Sequence, residues 1–596
     1  MYNNLDQSKH QIRLLRLLPG HDSNAIHCEL LIVSLDESNE FEALSYVWGS
    51  QRDLIQICVS GQIKYVTSNL ASALHHLRNE ENERKLWADA VCINQDDNDE
   101  RNSQVQLMQQ IYSGASRVVV WLGPLNNRDQ EIINLIKRLG SNLRLHWIAI
   151  PKMGQEFFLR LYMFLRHEWW SRIWTVQEAV LAKQMTYYRG KVRLSNHDLT
   201  NMAASYKEHV YTTRCCNALT VPDKFGFDVA GYIKAVTDDI LHMRQFRLGI
   251  RQANFDKVAL LFRSREATDP RDHVYGLLGI SCGIKESSIN YNFSKAKVYE
   301  LTTRDSLSHD NHLNILSHTF HQSTDTPGKK WSVCWPKDTP TWVPDWTIKH
   351  QKDDIDSMRY RLSFLEYYNA CGPWTYKSTD DDPAGKLYLA GVRCDTIEAI
   401  SSEVLGSPDL TNFDIIRDWR NMVGMEKAPG KAYVGGDTVS EAFWRTLCLD
   451  IRQSESVIRR AGADERGAHL GYWYIMLYHD KSSKIRIPKK ESNFMKGVLD
   501  FYDHVAIAMT QRRFFISHKG YIGLAPLGVE VGDHICVFAG GRVPFIVRAV
   551  QQNNDPTMSR LVCRLLGDSY VHGLMDGEAT KLMDDGVFQV QDFELI

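Results

Sequence analysis

Three short, almost wholly apolar runs constrain the 596-residue chain more than any other feature. They are 41–49 (F-E-A-L-S-Y-V-W-G), 86–95 (L-W-A-D-A-V-C-I-N-Q) and 116–123 (S-R-V-V-V-W-L-G). Each has strand length, and the first and third end in glycine and the second in Asn94 and Gln95, so each reads as a strand buried on both faces. Helical spacing fills the gaps. In 68–77, Leu70, Ala73, Leu74 and Leu77 form an apolar stripe with Asn69 as N-cap. In 101–113, Val105, Met108, Ile111 and Tyr112 share one face, and a further helix covers about 128–139. Strand, helix, strand, helix, strand is the rhythm of a sheet clad by helices. The amino-terminal domain is therefore expected to be α/β with a mostly parallel sheet, and Met185 to Arg189 is expected as its last strand.

Residues 169–184 (W-W-S-R-I-W-T-V-Q-E-A-V-L-A-K-Q) contain no Gly or Pro and carry apolar residues at helical spacing. Trp170, Trp174 and Glu178 are four apart and fall on one helix face. A carboxylate beside indole rings loses hydration, which raises its pKa, so Glu178 is the candidate catalytic group. The same pattern also describes a core-packed amphipathic helix whose Glu pairs with Arg172, and this stretch alone leaves both readings open. Ligands of an open parallel sheet sit at the carboxyl ends of its strands. Ser45, Tyr46, Trp48 and Gly49 occupy one such end, and Asn94 and Gln95 another. Asp89 falls in mid-strand, as a site residue or as a structural hydrogen-bonding carboxylate. Arg101, at a helix start, is placed either to contact a phosphate or to lie solvated.

The chain is too long for one core, and the pattern divides it into 1–195 (α/β), 196–330 (helical), 331–505 (a mixed connector) and 506–596 (β-rich). The connector holds Pro336, Pro340 and Pro344, a β segment over 387–397 and helices over 413–422 and 439–459. Short glycine-punctuated strands in the last ninety residues read as a small antiparallel sheet or barrel. Gly279-Ile280-Ser281-Cys282-Gly283 fits the nucleophile-elbow string, but the flanking residues look helical, which makes Gly279 a C-cap. His309, His312, His318 and His321 lack metal-site partners and read as a solvated loop around a strand-like 313–316; no metal is expected. Neither phosphate-cradling glycine motif is present.

A net charge of −2 gives no field to attract nucleic acid or an anionic membrane. No apolar stretch reaches the ~18 residues of a membrane span. The twelve cysteines form no C-x-x-C pair, and Cys215-Cys216 are poorly placed for a mutual disulfide. The start M-Y-N-N-L-D lacks the basic-then-apolar form of a secretory signal. A cytoplasmic protein with reduced thiols is expected.

Together, Ala43 to Gly49, Leu86 to Gln95, Gln104 to Tyr112, Val118 to Gly123 and Trp174-Thr175-Val176-Gln177-Glu178 resemble, in order, the motifs of the fungal heterokaryon incompatibility (HET) domain. Asp269-Pro270-Arg271-Asp272, Trp342 to Trp346, Phe443 to Leu447 and Tyr570 to Gly573 resemble the longer proteins of that family. Ala88 departs from the family's usual Ile or Val. The resemblance implies a role in nonself recognition that leads to cell death. It also implies a remote likeness to TIR domains, with a flavodoxin-like sheet and, in some of them, hydrolysis of NAD+. In those enzymes the catalytic Glu follows a Trp by four residues, as Glu178 follows Trp174. On that implication Glu178 would act on NAD+ as substrate, with no resident cofactor. Trp48 or Trp174 would stack on a ring, and Ser45, Tyr46, Gly49, Asn94 and Gln95 would line the cleft. The alternative is a non-enzymatic module that self-associates through the HET domain and meets a nonself protein partner.

Overall fold

The computed structural model describes the chain apart from residues 1, 22–24, 38, 127–128, 148–154, 213–227, 250–252, 322, 325–331, 350–351, 378–381, 402–412, 426, 455–456, 463–500, 502–503, 506 and 551–559. Cys215 and Cys216 lie outside the described residues. The chain forms two compact units, Met1–Val298 and Tyr299–Ile596.

The first unit is built on strands β1 (Gln11–Leu17), β2 (His27–Ser34), β3 (Glu42–Ser45), β4 (Leu54–Val59), β5 (Gln62–Thr67), β6 (Arg84–Trp87), β7 (Arg117–Trp121), β8 (Met185–Arg189) and β9 (Val192–Ser195). Their order in one sheet is β5-β4-β2-β1-β6-β3-β7-β8-β9. The centre, β6-β3-β7-β8, is parallel. It is also the part made of buried apolar runs, as expected for strands covered on both faces. Outside it the β1–β2, β1–β6, β4–β5 and β8–β9 pairs are antiparallel. The sheet is therefore mixed rather than mostly parallel. Two tight hairpins account for half of that difference. Ser60 and Gly61 both take positive φ (49° and 76°), and Gly190 takes φ 57° at the first turn position, so each pair of strands is joined by a two-residue loop.

Of helices α1 (Ser68–Leu77), α2 (Asp89–Cys92), α3 (Asn98–Gly114), α4 (Asp129–Ser141), α5 (Gln155–Leu165) and α6 (Trp174–Leu181), α1, α3, α4 and α6 match expected helices with local corrections, and α2 and α5 are additional to them. Thr67 rather than Asn69 caps α1, accepting from the Leu70 amide. The run 86–95 is not one strand: β6 stops at Trp87, and α2 begins at Asp89. Asp89 therefore stands just past a strand's carboxyl end, not in mid-strand. The segment 169–184 is not one helix either. Glu168–Trp170 is a 3-10 turn, and 171–173 is pulled out of register by Glu266, whose amide donates to Ser171 O (2.6 Å) and whose carbonyl accepts from Ile173 N (2.9 Å). Trp170 thus leaves the face it was expected to share with Trp174 and Glu178. Gly279 is no C-cap; Gly276 has that place, ending Asp272–Tyr275. A Cβ on Gly279 would meet Gln177 Oε1 and Leu181 Cδ1 at 3.0 Å, so it is small because α6 packs on it. Ser281 is buried and donates to Leu277 O (2.9 Å), as a structural hydroxyl does.

In the second unit the β segment expected over 387–397 is the strand Leu387–Ile400. It pairs on one side with Val590–Leu595 and on the other with His534–Phe538. Phe545–Ala549 and Arg560–Asp568 complete the circuit, so the sheet closes on itself as a barrel. Arg512–Ser517, Ile522–Pro526 and Tyr570–Val571 extend it. The helix expected over 439–459 ends at Leu447, because Leu449 and Asp450 turn to positive φ (56° and 54°) and start the hairpin Ile451–Ser454/Val457–Arg460. Residues 313–316 are not a strand: Leu313 is the N-cap of the 3-10 helix Asn314–His318, which holds the rest. His321 is not solvated: its Nε2 bonds Leu565 O at 2.7 Å. Among the described residues no helix is long and apolar enough to cross a membrane.

Candidate active site

The parallel centre of the sheet sends β6, β3, β7 and β8 to a common rim, and two carboxyl groups converge there. Ser45 is the last residue of β3 and is buried. Its hydroxyl donates to Glu178 Oε2 on α6 and accepts the indole N–H of Trp169 at 2.7 Å. Glu178 is 7% exposed. It carries no ion pair among the described residues, so neither bulk solvent nor a locked salt bridge holds it. Burial is the main force on it and lifts its pKa to about 7. The Ser45 bond opposes that rise, the Asp89 charge adds to it, and Arg172 and the Tyr112 hydroxyl oppose it more weakly. Arg172 thus acts on Glu178 as a nearby charge rather than as a contact partner.

Asp89, at the start of α2, accepts the Trp48 indole N–H at 2.7 Å and its own neighbour Ala90 N at 2.8 Å. Its pKa is also raised by burial, against the pull of Trp48, Tyr46 and Arg172. The buried Tyr46 hydroxyl interacts with this carboxyl and with the Ala90 backbone. Ser45, Tyr46, Trp48, Asp89 and Glu178 therefore form one electrostatic cluster. Trp48 is half-buried and Gly49 exposed, at φ 79°, where the chain leaves the sheet. Asn69 positions this loop: its amide donates to Val47 O (2.6 Å) and its oxygen accepts from Trp121 Nε1 (3.0 Å).

The other expected residues divide. Gln95 donates to Asp89 O at 2.9 Å and steadies α2. Asn94 offers its backbone N–H to Glu100 Oε1 at 2.7 Å, and Glu100 is itself clamped by buried Arg13 at 2.6 and 2.9 Å. Arg101 and Trp174 belong to a second cluster. Arg101 lies over the Tyr291 ring at 4.3 Å. Tyr291 donates to Asp272 Oδ1 at 2.7 Å, and Trp174 also hydrogen-bonds Asp272. Asp272, in the D-P-R-D segment, is lifted to about 6, chiefly by burial. Trp174 is thus tied at its polar edge, and of the two indoles Trp48 is the one bonded beside the paired carboxyls. Tyr112, Trp169 and Asn69 carry roles not drawn from the sequence; for Tyr112 the signal was a phenol within an otherwise apolar helix face, since a buried phenol seeks a partner. Among the described residues no group of three or more His, Cys, Asp or Glu is placed to hold a metal.

A buried carboxyl poised near neutrality, on a hydroxyl and beside a second carboxyl, can take or release a proton and stabilise developing positive charge. Known proteins resemble this chain in two stretches and along its length. Residues 41–178 match the family described as "Heterokaryon incompatibility protein (HET)", and 466–590 match the "Het-6 beta-barrel domain". The first match runs from the residue before β3 to Glu178 itself. "Heterokaryon incompatibility protein 6, OR allele" of Neurospora crassa is 25% identical, over 96% of this chain and 95% of that protein. No solved structure matches the chain.

Proposed function

Because the chain is a heterokaryon incompatibility (HET) domain protein, we propose that it acts in fungal nonself recognition and that its amino-terminal domain, TIR-like in kind, triggers cell death by hydrolysing NAD+. The observation that carries this reading is Glu178: buried, free of an ion pair among the described residues, bonded to Ser45 and held near pKa 7. Cleaving the nicotinamide–ribose bond sends its electron pair to the ring nitrogen, and nicotinamide leaves neutral. The ribose is left oxocarbenium-like, and an adjacent carboxylate stabilises it. Water then adds to the anomeric carbon and gives up a proton, so NAD+ and water become ADP-ribose, nicotinamide and H+. Ionised Glu178 faces the developing charge, Asp89 reinforces the negative field, and Trp48 offers a ring face beside it. The leaving group needs no protonation, so neither carboxyl must serve as acid. Purified protein is expected to release nicotinamide from NAD+, and Glu178→Gln is expected to lower that rate about 10²–10³-fold, the scale of a lost charge-stabilising group. Equal rates in both proteins would remove the enzymatic reading.

A second reading, self-association without catalysis, draws on the opposite edge of the sheet. Edge strand β5 exposes Ile63 and Tyr65 (60% and 62%), with Leu54 of β4 beside them (48%). An apolar unpaired edge invites a further strand. Ile63→Lys with Tyr65→Lys should then abolish concentration-dependent growth in mass by light scattering. An unchanged mass profile would rule out this edge. The two readings are compatible, since an assembly can present an enzyme.

A further inference from the structure

A cavity of about 280 Å³ opens at the same rim, beyond the ends of β7 and β8, lined by Leu122, Met163, Phe164, Arg166, His167 and Arg189. No carboxylate is in that lining. Arg166 is exposed, and its guanidinium carbon lies 5.8 Å from the Tyr162 ring. Arg189 is fixed by Asp129 through Nε (2.7 Å) and by Leu122 O through Nη1, while Nη2 has no partner among the described residues. His167 Nδ1 accepts the Trp169 amide (3.2 Å), so the ring proton of the neutral imidazole is on Nε2. Gly123 marks where these donors meet. A Cβ there would lie 3.0 Å from Arg189 Nη1 and 3.9 Å from His167 Nε2, and φ is 86°, which glycine tolerates. The backbone is thus bare between a guanidinium and an imidazole N–H, with Arg166 at the mouth.

We propose that this cavity is an anion site that binds the phosphoryl group of a small phosphate compound. Arg166 and the remaining Nη2 of Arg189 supply charge-assisted donors that phosphate oxygens accept. Phe164 and Leu122 supply a dry wall and Met163 an exposed apolar lip, fit to cover a neighbouring ring. Arg101, the phosphate candidate by position in the sequence, instead lies over Tyr291. The site is also joined to the carboxyl cluster: Trp169 gives its amide to His167 and its indole to Ser45, which holds Glu178.

Calorimetric titration of the full chain with inorganic pyrophosphate and, separately, with 5′-AMP tests this without calling on any turnover. One-to-one saturable binding is expected for at least one probe. Arg166→Ala should weaken it at least tenfold and Arg166→Glu should abolish it, each with an unchanged thermal melt, since Arg166 is exposed. Tighter binding of AMP than of pyrophosphate would identify a nucleotide; tighter binding of pyrophosphate would identify phosphate alone. Failure of both probes to bind saturably, or Arg166→Glu binding as well as the parent, overturns the proposal. Nicotinamide release assayed on the same variants separates the two ideas, because loss of probe binding with intact NAD+ cleavage leaves the anion site standing apart from the enzyme.

Discussion

Both units bury carboxyl groups, and two of these, one from each unit, are handled in opposite ways. In the carboxy-terminal unit, Asp568 is 4% exposed and sits between two buried guanidiniums. Arg361 bonds its Oδ2, while Arg512 bonds its Oδ1 at 2.7 Å and its carbonyl at 2.5 Å. Its pKa is held below the ordinary value despite burial, because both arginines favour the anion. Glu178 in the amino-terminal unit is about as buried but has a hydroxyl and a phenol where Asp568 has cations, and its pKa rises to about 7. Burial alone therefore does not mark a site. A buried carboxylate whose charge is matched serves the fold; one left unmatched is held at a cost that packing alone does not explain.

The sharpest way to break that contrast is at Asp568. Asp568→Asn leaves Arg361 and Arg512 buried without their counter-charge, and removing one partner of such a group costs about 3–5 kcal/mol. Denaturant titration of the full chain should show that loss in the transition of the second unit, and nicotinamide release should survive it. A loss below ~1 kcal/mol would mean that Asp568 is no more structural than Glu178.

Next in size is the stability change on Glu178→Gln, whose sign is the reverse. At pH below 4.5 the carboxyl is protonated both folded and unfolded. Between 4.5 and about 7 the unfolded chain releases the proton while the folded one keeps it, so stability falls as pH rises and levels off above 7. The full difference is about 3 kcal/mol. Gln cannot ionise, so the variant should melt higher than the parent at pH 8 and alike at pH 4.5, as a thermal scan over pH would record. NAD+ cleavage in the parent should rise through pH 7 as the carboxylate forms, so activity and stability move in opposite directions over one window. A parent whose stability is flat from pH 5 to 8 would contradict the buried, unmatched state of Glu178.

How far this was readable from residues alone follows from the same chemistry. The buried runs around Ala43, Leu86 and Val118 stood out because strands covered on both faces are uniformly apolar, and the four-residue step from Trp174 to Glu178 lies within α6 as spaced. The outer strands were harder. The β4–β5 hairpin is only half covered, and its pairing depends on the Ser60-Gly61 turn. Trp170 was misplaced because a distant residue, Glu266, takes the backbone bonds of 171–173, which local periodicity does not contain. The mid-strand reading of Asp89 failed because the amides of Val91 and Cys92 bond Ala88 O, which turns the chain into α2 directly after Trp87. The Asn69 bridge from Val47 to Trp121 needs three elements in place before it exists.

The smallest effects are the most discriminating, because two neighbours of Glu178 should move it in opposite directions. Ser45 donates to the anion, so Ser45→Ala should shift the midpoint of the pH–activity curve upward. It should also cost about 1–3 kcal/mol, since the Trp169 indole N–H loses its acceptor. Asp89 repels the anion, so Asp89→Asn should shift the midpoint downward, and by less, because its influence on Glu178 ranks behind that of Ser45. Asparagine still accepts from Trp48, so the fold should hold. Rates of nicotinamide release measured from pH 5.5 to 8.5 on both variants give the two signs directly. Shifts of the same sign would mean that Ser45 and Asp89 act on activity through the packing of the rim rather than through the charge on Glu178.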